Sequence, residues 1–477
     1  MKKILLIILS LSLIGCKAKT ENSESLNKKL KYSLNAVELA LDISRKIERN
    51  NKVTDQEWED LFSSVGYQTY FCGFNREVSE PQLKEVFYTV FEKSRAQKLD
   101  SILQAPVEMS MEGRFNLMVQ NFNEFKKNRA AIQQFMANID FDSLLKDANE
   151  LTLKFLPKNV DTDNVELHEV SFVMMEPNAY VTDCGLVVDF NNAFQMGEEG
   201  LTETLAHEYH HNYRNSELSI SGEPLIQNLS GLQAEGIADL IDKGLPPYES
   251  MLNIPQNIVE AMNEMYANTP QILHQLDTIT IQMLSNELSE MDYDAKTMRY
   301  FKDGGHANGL YMSNKIKEAG LYQQMIDTYN DPIAFLELYN QAVEGQVGEH
   351  RFSDGFMTYV KDLQLGHEKE LESVSDETFE VTFVVEVPNV NDEVFITGNQ
   401  SNLGEWDPGA VKLDLGAGNS RTIKLQLQSP AEFKFTRGSW KKEAIMNGKN
   451  NNDNLTIKFE KDTIVSFKIK QWTDEFN

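Results

Sequence analysis

Apolar residues change their spacing several times along this chain. From Leu34 to Ile47 they recur every three or four positions. The same spacing returns at Trp58 and Leu61, behind the capping box Thr54-Asp55-Gln56-Glu57, and again over Phe115–Phe135. This predicts a largely helical stretch to about Leu156. Val165–Met175 and Gly185–Phe190 are β-like, with Pro177 and Asn178 as turn residues between them. Helical spacing resumes from Thr202 or Glu203 to about Asn212, and runs on after Asp239 to roughly Leu365. Beyond residue 378 the period falls to two. Phe379–Val387, Val394–Thr397, Thr422–Leu427, Glu432–Phe435, Leu455–Phe459 and Ile464–Ile469 are short segments parted by Gly, Asn, Asp or Pro turns. That pattern predicts a β-sandwich of about 100 residues. The fold class is therefore α+β: a mostly helical domain with a small sheet, followed by an all-β sandwich. Gly366–Thr378 reads as a charged linker. The expected division is 1–16 as a signal, 17–368 as the main domain (helical part 25–156, core 157–368), 369–377 as the linker and 378–477 as the sandwich.

The first sixteen residues differ from everything after them. Lys2-Lys3 precede an apolar run from Ile4 to Leu13, and Leu13-Ile14-Gly15-Cys16 closes it. A basic start, a short apolar core and a small residue before the cleavage point make a secretory signal. The run is too short to span a bilayer, which takes about 20 residues. Its Leu-x-Gly-Cys ending resembles the bacterial lipobox. The resemblance implies cleavage before Cys16, lipidation of Cys16 and a cell-envelope lipoprotein tethered to a bacterial membrane, facing the periplasm or the surface.

Composition narrows the partners. The chain is 41% hydrophobic and carries a formal charge of −28. Such acidity repels phosphate backbones and argues against nucleic acid. Besides Cys16 there are only Cys72 and Cys184. In an oxidising compartment they can pair; two buried free thiols are the alternative.

Chemistry concentrates in His207-Glu208-Tyr209-His210-His211. On a helix, His207 and His211 lie about 40° apart around the axis, so both imidazoles reach one ion. His210 competes for that place. Glu208 favours His211, because it lies about 60° from His211 but about 160° from His210, and a general base belongs on the ligand side. Zinc sites that catalyse use three protein ligands and an open position. Ala234-Glu235-Gly236-Ile237-Ala238-Asp239 supplies the third as Glu235. Asp239, one turn on, is placed to accept the ring N–H of a ligand histidine, His207 foremost. The small residues Ala234, Gly236 and Ala238 would let this helix approach the first.

HEYHH followed by EGIAD resembles the gluzincin metallopeptidases (HExxH then ExxxD), and more closely the zinc-dependent peptidases of bacterial lipoproteins. The resemblance implies a zincin-like domain, Zn²⁺ as cofactor, and peptide or protein substrates cut by a zinc-activated water with Glu208 as general base. It also implies that Gly185–Phe190 is the sheet edge that pairs with the substrate. Gly304-Gly305-His306-Ala307-Asn308-Gly309-Leu310-Tyr311 is similar to the later segment of some gluzincin families. There His306 or Tyr311 would stabilise the oxyanion. His168, His274, His350 and His367 lie outside any motif.

In the sandwich, Phe395–Asn399, Leu403–Pro408 and Glu432–Phe435 resemble the starch-binding (family 20) carbohydrate module. Trp406 and Lys434 match two members of its first glucan site, which implies a glycan partner. The module's second tryptophan should fall near Glu443-Ala444 and is absent; Trp440 is a candidate substitute. Asn447–Asn454 reads as a turn. Two other readings stand beside the peptidase: a catalytically silent lipoprotein that binds a glycan or protein, and a zinc hydrolase of a non-peptide, cell-wall amide.

Overall fold

The computed structural model describes residues 30–73, 79–105, 111–162, 165–182, 184–243, 255–297, 299–372, 377–446 and 454–475. The expected signal and lipidation site at Cys16, and most of the Asn-rich turn, lie outside these. The chain divides into two compact units. One takes residues up to 219 and 228–356; the other takes 220–227 and everything from 357 on. The linker expected over Gly366–Thr378 is helical in its first part, because helix Asp354–Glu372 continues through it. Glu, Lys and Leu are good helix formers, so a charged stretch there builds a helix surface as readily as a tether. Among the described residues, no helix is long and apolar enough to cross a membrane.

The first unit is a small sheet buried by helices. Helix Asn35–Glu48 buries Ala36, Val37, Ala40, Leu41, Ile43 and Ile47, the face its sequence period predicts. Helix Asp55–Phe62 opens on the expected capping box: Glu57 N–H donates to Thr54 Oγ1, and Thr54 N–H donates to the Glu57 carboxylate. Helices Met111–Asn138 and Phe141–Thr152 follow. Their apolar faces share one core with the sheet and with Leu201, Leu205, Ala206 and Tyr209 of the HEYHH helix. The N-terminal helices are thus an integral wall of the unit.

The sheet holds β1 (Tyr32–Ser33), β2 (Val170–Val173), β3 (Ala179–Thr182) and β4 (Gly185–Asp189) in the order β1-β2-β4-β3. β4 is parallel to β2 and antiparallel to β3. This corrects the expected edge: Gly185–Asp189 is a central strand with every residue buried, and β3 is the edge beside it. The run Leu186-Val187-Val188 has the continuous apolar character of a strand covered on both faces. Cys72, on helix Val65–Gly73, is disulfide-bonded to Cys184 in the β3–β4 turn.

β4 runs straight into the HEYHH helix, Phe190–Glu217, through Asp189 as N-cap. One Asp189 oxygen accepts from Asn192 N–H and the other from Met175 N–H, so a single carboxylate fixes the helix start to the end of β2. Burial pushes its pKa up to about 7. Gly197 (φ 71°, ψ −172°) breaks the helix into two segments, with the motif on the second.

The second unit carries two facing sheets. Their strands are β5 (Phe379–Glu386), β6 (Phe395–Gly398), β7 (Val411–Lys412), β8 (Asp414–Leu415), β9 (Ser420–Leu427), β10 (Ala431–Thr436), β11 (Ala444–Met446), β12 (Leu455–Ile457) and β13 (Thr463–Trp472). The orders are β12-β10-β6-β7 and β11-β13-β5-β9-β8. Every expected strand is present; β7, β8 and β11 are too short to show a period in the sequence. Val381, Phe383, Val385, Ile396, Phe433, Phe435 and Trp472 fill the core between the sheets. Trp472 Nε1–H donates to Asp392 at 3.0 Å, which satisfies the buried indole.

Candidate metal centre

Three helices meet at the HEYHH motif. The second is Pro224–Asp242, which carries the EGIAD segment, and the third is His306–Glu318. Arg214, 2% exposed, ties the first two together: it donates to Ser230 and Gln233 of the second helix and to the Tyr329 carbonyl. The expected close approach of Gly236 to the first helix is made to the third instead. A Cβ built on Gly236 would lie 2.4 Å from Gly309 O, and one on Gly309 would lie 2.1 Å from Leu232 O. Only glycine allows backbones so near. This crossing brings His306 beside Glu235.

His207 Nε2, His211 Nε2 and Glu235 Oε2 form a triangle with sides of 3.0, 3.2 and 3.4 Å. Tetrahedral zinc with ligand bonds of about 2.0–2.1 Å sets neighbouring donors roughly 3.3 Å apart. Glu235 Oε2 is buried and has no hydrogen-bond partner among the described residues, as an atom reserved for an ion would be. The donor set, two imidazoles and a carboxylate, suits zinc. A looser group overlaps it: His207, Glu235, Asp239 and His306 offer donor atoms within 4.8 Å of one another. The triangle is the ligand-like set, because its spacing matches donors around one ion and Asp239 is hydrogen-bonded to His306.

The electrostatics follow from burial and mutual charge. Burial pulls the His207 pKa down, but the charge and hydrogen bond of Asp242 and the Glu235 contact raise it well above the ordinary value. Burial alone would raise Glu235; His211, His306 and His207 outweigh that and hold it well below the carboxylate range. Glu208 is buried, and that burial raises its pKa against the lowering charges of His207 and His211. His210 is fully buried, with neither ring nitrogen hydrogen-bonded among the described residues, and its ring centre packs 5.9 Å from that of Tyr329. Desolvation first, then the neighbouring His211 and Arg214, hold it well below the usual histidine range. Of the two competing histidines, His211 is therefore the one facing Glu235.

Two placements differ from expectation. His207 Nδ1 lies 3.0 Å from Asp242, while Asp239 is 3.6 Å away and instead meets His306 Nδ1 at 3.0 and 3.2 Å. Asp242 lies outside the EGIAD motif, seven residues after Glu235, and no motif points to it. Its spacing does: seven residues are nearly two full turns, so it returns to within about 20° of the same face. Tyr311 is not part of the cluster: its hydroxyl donates to Glu349 at 2.7 and 2.8 Å. Five residues after His306, it points about 140° away around the helix. His306 does join the site, with Nδ1 3.3 Å from Glu235 Oε2 and its ring stacked 5.9 Å from that of His207. Burial lowers its pKa, but Asp239 and Glu235 lift it to about 9.

On the second unit, Trp406 is half-buried with φ 64°, and Trp440 is 40% exposed. Lys434 is ion-paired with Glu443 at 2.9 Å, so the residue at the missing tryptophan's place partners the lysine.

Comparison with known families gives two matches. The family described as "Putative zinc dependent peptidase (DUF5700)" matches residues 58–346, more than half the chain. A starch binding domain matches residues 378–468. No curated protein matches.

Proposed function

The chain belongs to that peptidase family, and we propose that it hydrolyses peptide bonds at a zinc site made by His207, His211 and Glu235. The donor triangle, 3.0–3.4 Å on a side, is the observation that carries this reading. Zinc bound there would act as a Lewis acid on the scissile carbonyl and on water.

The residues around it supply the remaining steps. Glu208 takes a proton from the attacking water and returns it to the leaving amine; its raised pKa suits a group that must hold that proton between the two transfers. His306, whose pKa Asp239 and Glu235 raise, donates to the carbonyl oxygen as it gains charge. β3, the edge strand, pairs with the extended substrate backbone beside the motif helix. The Cys72–Cys184 disulfide fits an oxidising envelope compartment, which is where a lipid anchor at Cys16 would hold the protein.

The second unit belongs on glycans by its match to starch binding domains, with Trp406 and the exposed Trp440 as stacking surfaces. Retention on insoluble starch that falls on substituting either tryptophan supports this; retention equal to wild type in both variants refutes it.

The peptidase test is a peptide library with and without chelator. Cleavage should require the metal, and Glu208→Gln should keep zinc while losing about 10²–10⁴-fold in kcat. Zinc-loaded wild type that leaves every peptide intact, or an undiminished Glu208→Gln variant, overturns the reading. Cleavage of a cell-wall amide in place of peptides would transfer the mechanism to that substrate.

A further inference from the structure

We propose that the two histidines at the centre are oriented by different carboxylates: Asp242 is the positioning residue of the metal ligand His207, and Asp239 is that of His306. The functional part of this rests on the peptidase reading; the hydrogen bonds do not. His207 Nδ1 lies 3.0 Å from Asp242 Oδ1, in hydrogen-bond geometry, against 3.6 Å from Asp239 Oδ1. Both oxygens of Asp239 reach His306 Nδ1, at 3.0 and 3.2 Å. An ionised carboxylate only accepts, so each histidine donates its Nδ1–H. In His207 this pins the proton on Nδ1 and leaves the Nε2 lone pair facing His211 and Glu235, the tautomer a metal ligand needs.

The two acids are held differently. Lys243 is paired directly with Asp242, while its Nζ stands 3.9 Å from Asp239. Asp242 is thus charge-compensated behind the ligand. Asp239 belongs to a ring carried by another helix, the one pressed against Gly236 at Gly309. One helix therefore presents a ligand, the seat of a ligand and the seat of the substrate-facing histidine at positions 235, 242 and 239. Loss of Asp242 acts on metal binding, and loss of Asp239 acts on turnover through His306.

The experiment titrates zinc into the full chain against a chromophoric chelator, for wild type, D242N, D239N and H306A, with peptide kinetics alongside. D242N should bind zinc about 10–100-fold more weakly, the usual effect of removing a carboxylate behind a ligand histidine. D239N and H306A should stay within about threefold of wild type. D239N should lower kcat by the same factor as H306A, with no further loss in the double variant. In imidazole ¹⁵N spectra of the zinc-loaded chain, D239N should move the His306 Nδ1 signal and D242N that of His207.

Because D242N removes the nearer ion pair of Lys243 and leaves it 3.9 Å from Asp239, D242N/K243M and D242E are measured with it. Zinc affinity restored by D242E but not by K243M fixes the role on the carboxylate. The assignment is overturned if D239N weakens zinc as much as D242N, or if D242N/K243M folds and binds as wild type does. A wild type that binds zinc in this order yet cuts no peptide refutes the peptidase reading alone. One that cuts peptides with the order reversed refutes this assignment alone.

Discussion

The Gly236–Gly309 crossing offers a sharp test of how the centre is assembled. In Gly309→Ala the new Cβ would stand 2.1 Å from Leu232 O, 2.9 Å from Gly236 N and 3.0 Å from Gly236 Cα. All three are backbone atoms, so no side chain can swing away. Contacts under 3.0 Å are essentially never seen for real Cβ atoms, and the helices must part by about 1 Å. Overpacking of this kind costs about 1–3 kcal/mol. Alanine's better helix propensity returns about 1 kcal/mol, leaving a net loss of up to about 2 kcal/mol. The functional effect should be larger. His306 and Glu235 ride on the two parted helices, and their 3.3 Å approach would open; a misplacement of about 1 Å at a reacting centre costs on the order of 10²-fold. The assay compares urea midpoints, zinc content and kcat for Gly309→Ala and for Gly366→Ala. Gly366 is also helical, but a Cβ placed there would meet nothing within 4 Å. The control should be neutral or stabilised by up to about 1 kcal/mol. Equal stability and equal turnover in the two variants would show that the crossing neither constrains the backbones nor sets His306.

Other expectations follow from single contacts. Removing the Cys72–Cys184 bond, which closes a 112-residue separation, should lower stability by about 2–5 kcal/mol; a double serine variant with an unchanged urea midpoint would contradict this. Arg214→Met strands the buried Ser230, Gln233 and Tyr329 oxygens that the guanidinium satisfies. It should cost about 3 kcal/mol and loosen the two motif helices together, read as joint loss of midpoint and zinc affinity. Burial alone would raise the Asp277 carboxyl, yet hydrogen bonds from His350 and Ser353 hold it below the usual range. Its stabilisation is therefore present above its unfolded pKa near 4 and lost as pH falls through the folded value. Asp277→Asn should flatten the acid limb of the stability–pH curve, and an unchanged limb would place the loss elsewhere.

The centre is legible in the sequence where its geometry is internal to one helix. His207, Glu208 and His211 are fixed relative to one another by the turn of the helix, and Glu235 needs only a second helix shortly after the first. The sandwich strands are legible because a two-residue period has one structural meaning. What escapes is set by contacts between elements. The approach of Gly236 to Gly309 joins residues 73 positions apart and leaves no local pattern. The edge expected at Gly185–Phe190 rests on resemblance, whereas the apolar continuity of Leu186-Val187-Val188 already marks a covered strand. Asp239 suggests itself for His207 because i,i+4 from Glu235 is the nearer same-face spacing; Asp242 at i,i+7 fits that face at least as well. His306 and Tyr311 are separable from spacing alone, since side chains about 140° apart do not converge on one atom.

Helix Pro224–Asp242 is then the member that decides the geometry of the whole centre. Glu235, Asp239 and Asp242 fall within about 60° of arc, and through them the helix touches His207, His211 and His306. Gly236, about 100° round from Glu235, sets the distance to the helix that brings His306. Arg214 anchors the same helix to the HEYHH helix at Ser230 and Gln233. A shift of this one element along its axis would move Glu235 and both histidine seats together, so on the proposed reading small displacements should degrade zinc binding and turnover in parallel. Substitutions confined to one seat should separate them. That contrast distinguishes a centre built on a single rigid helix from one assembled by independent loops.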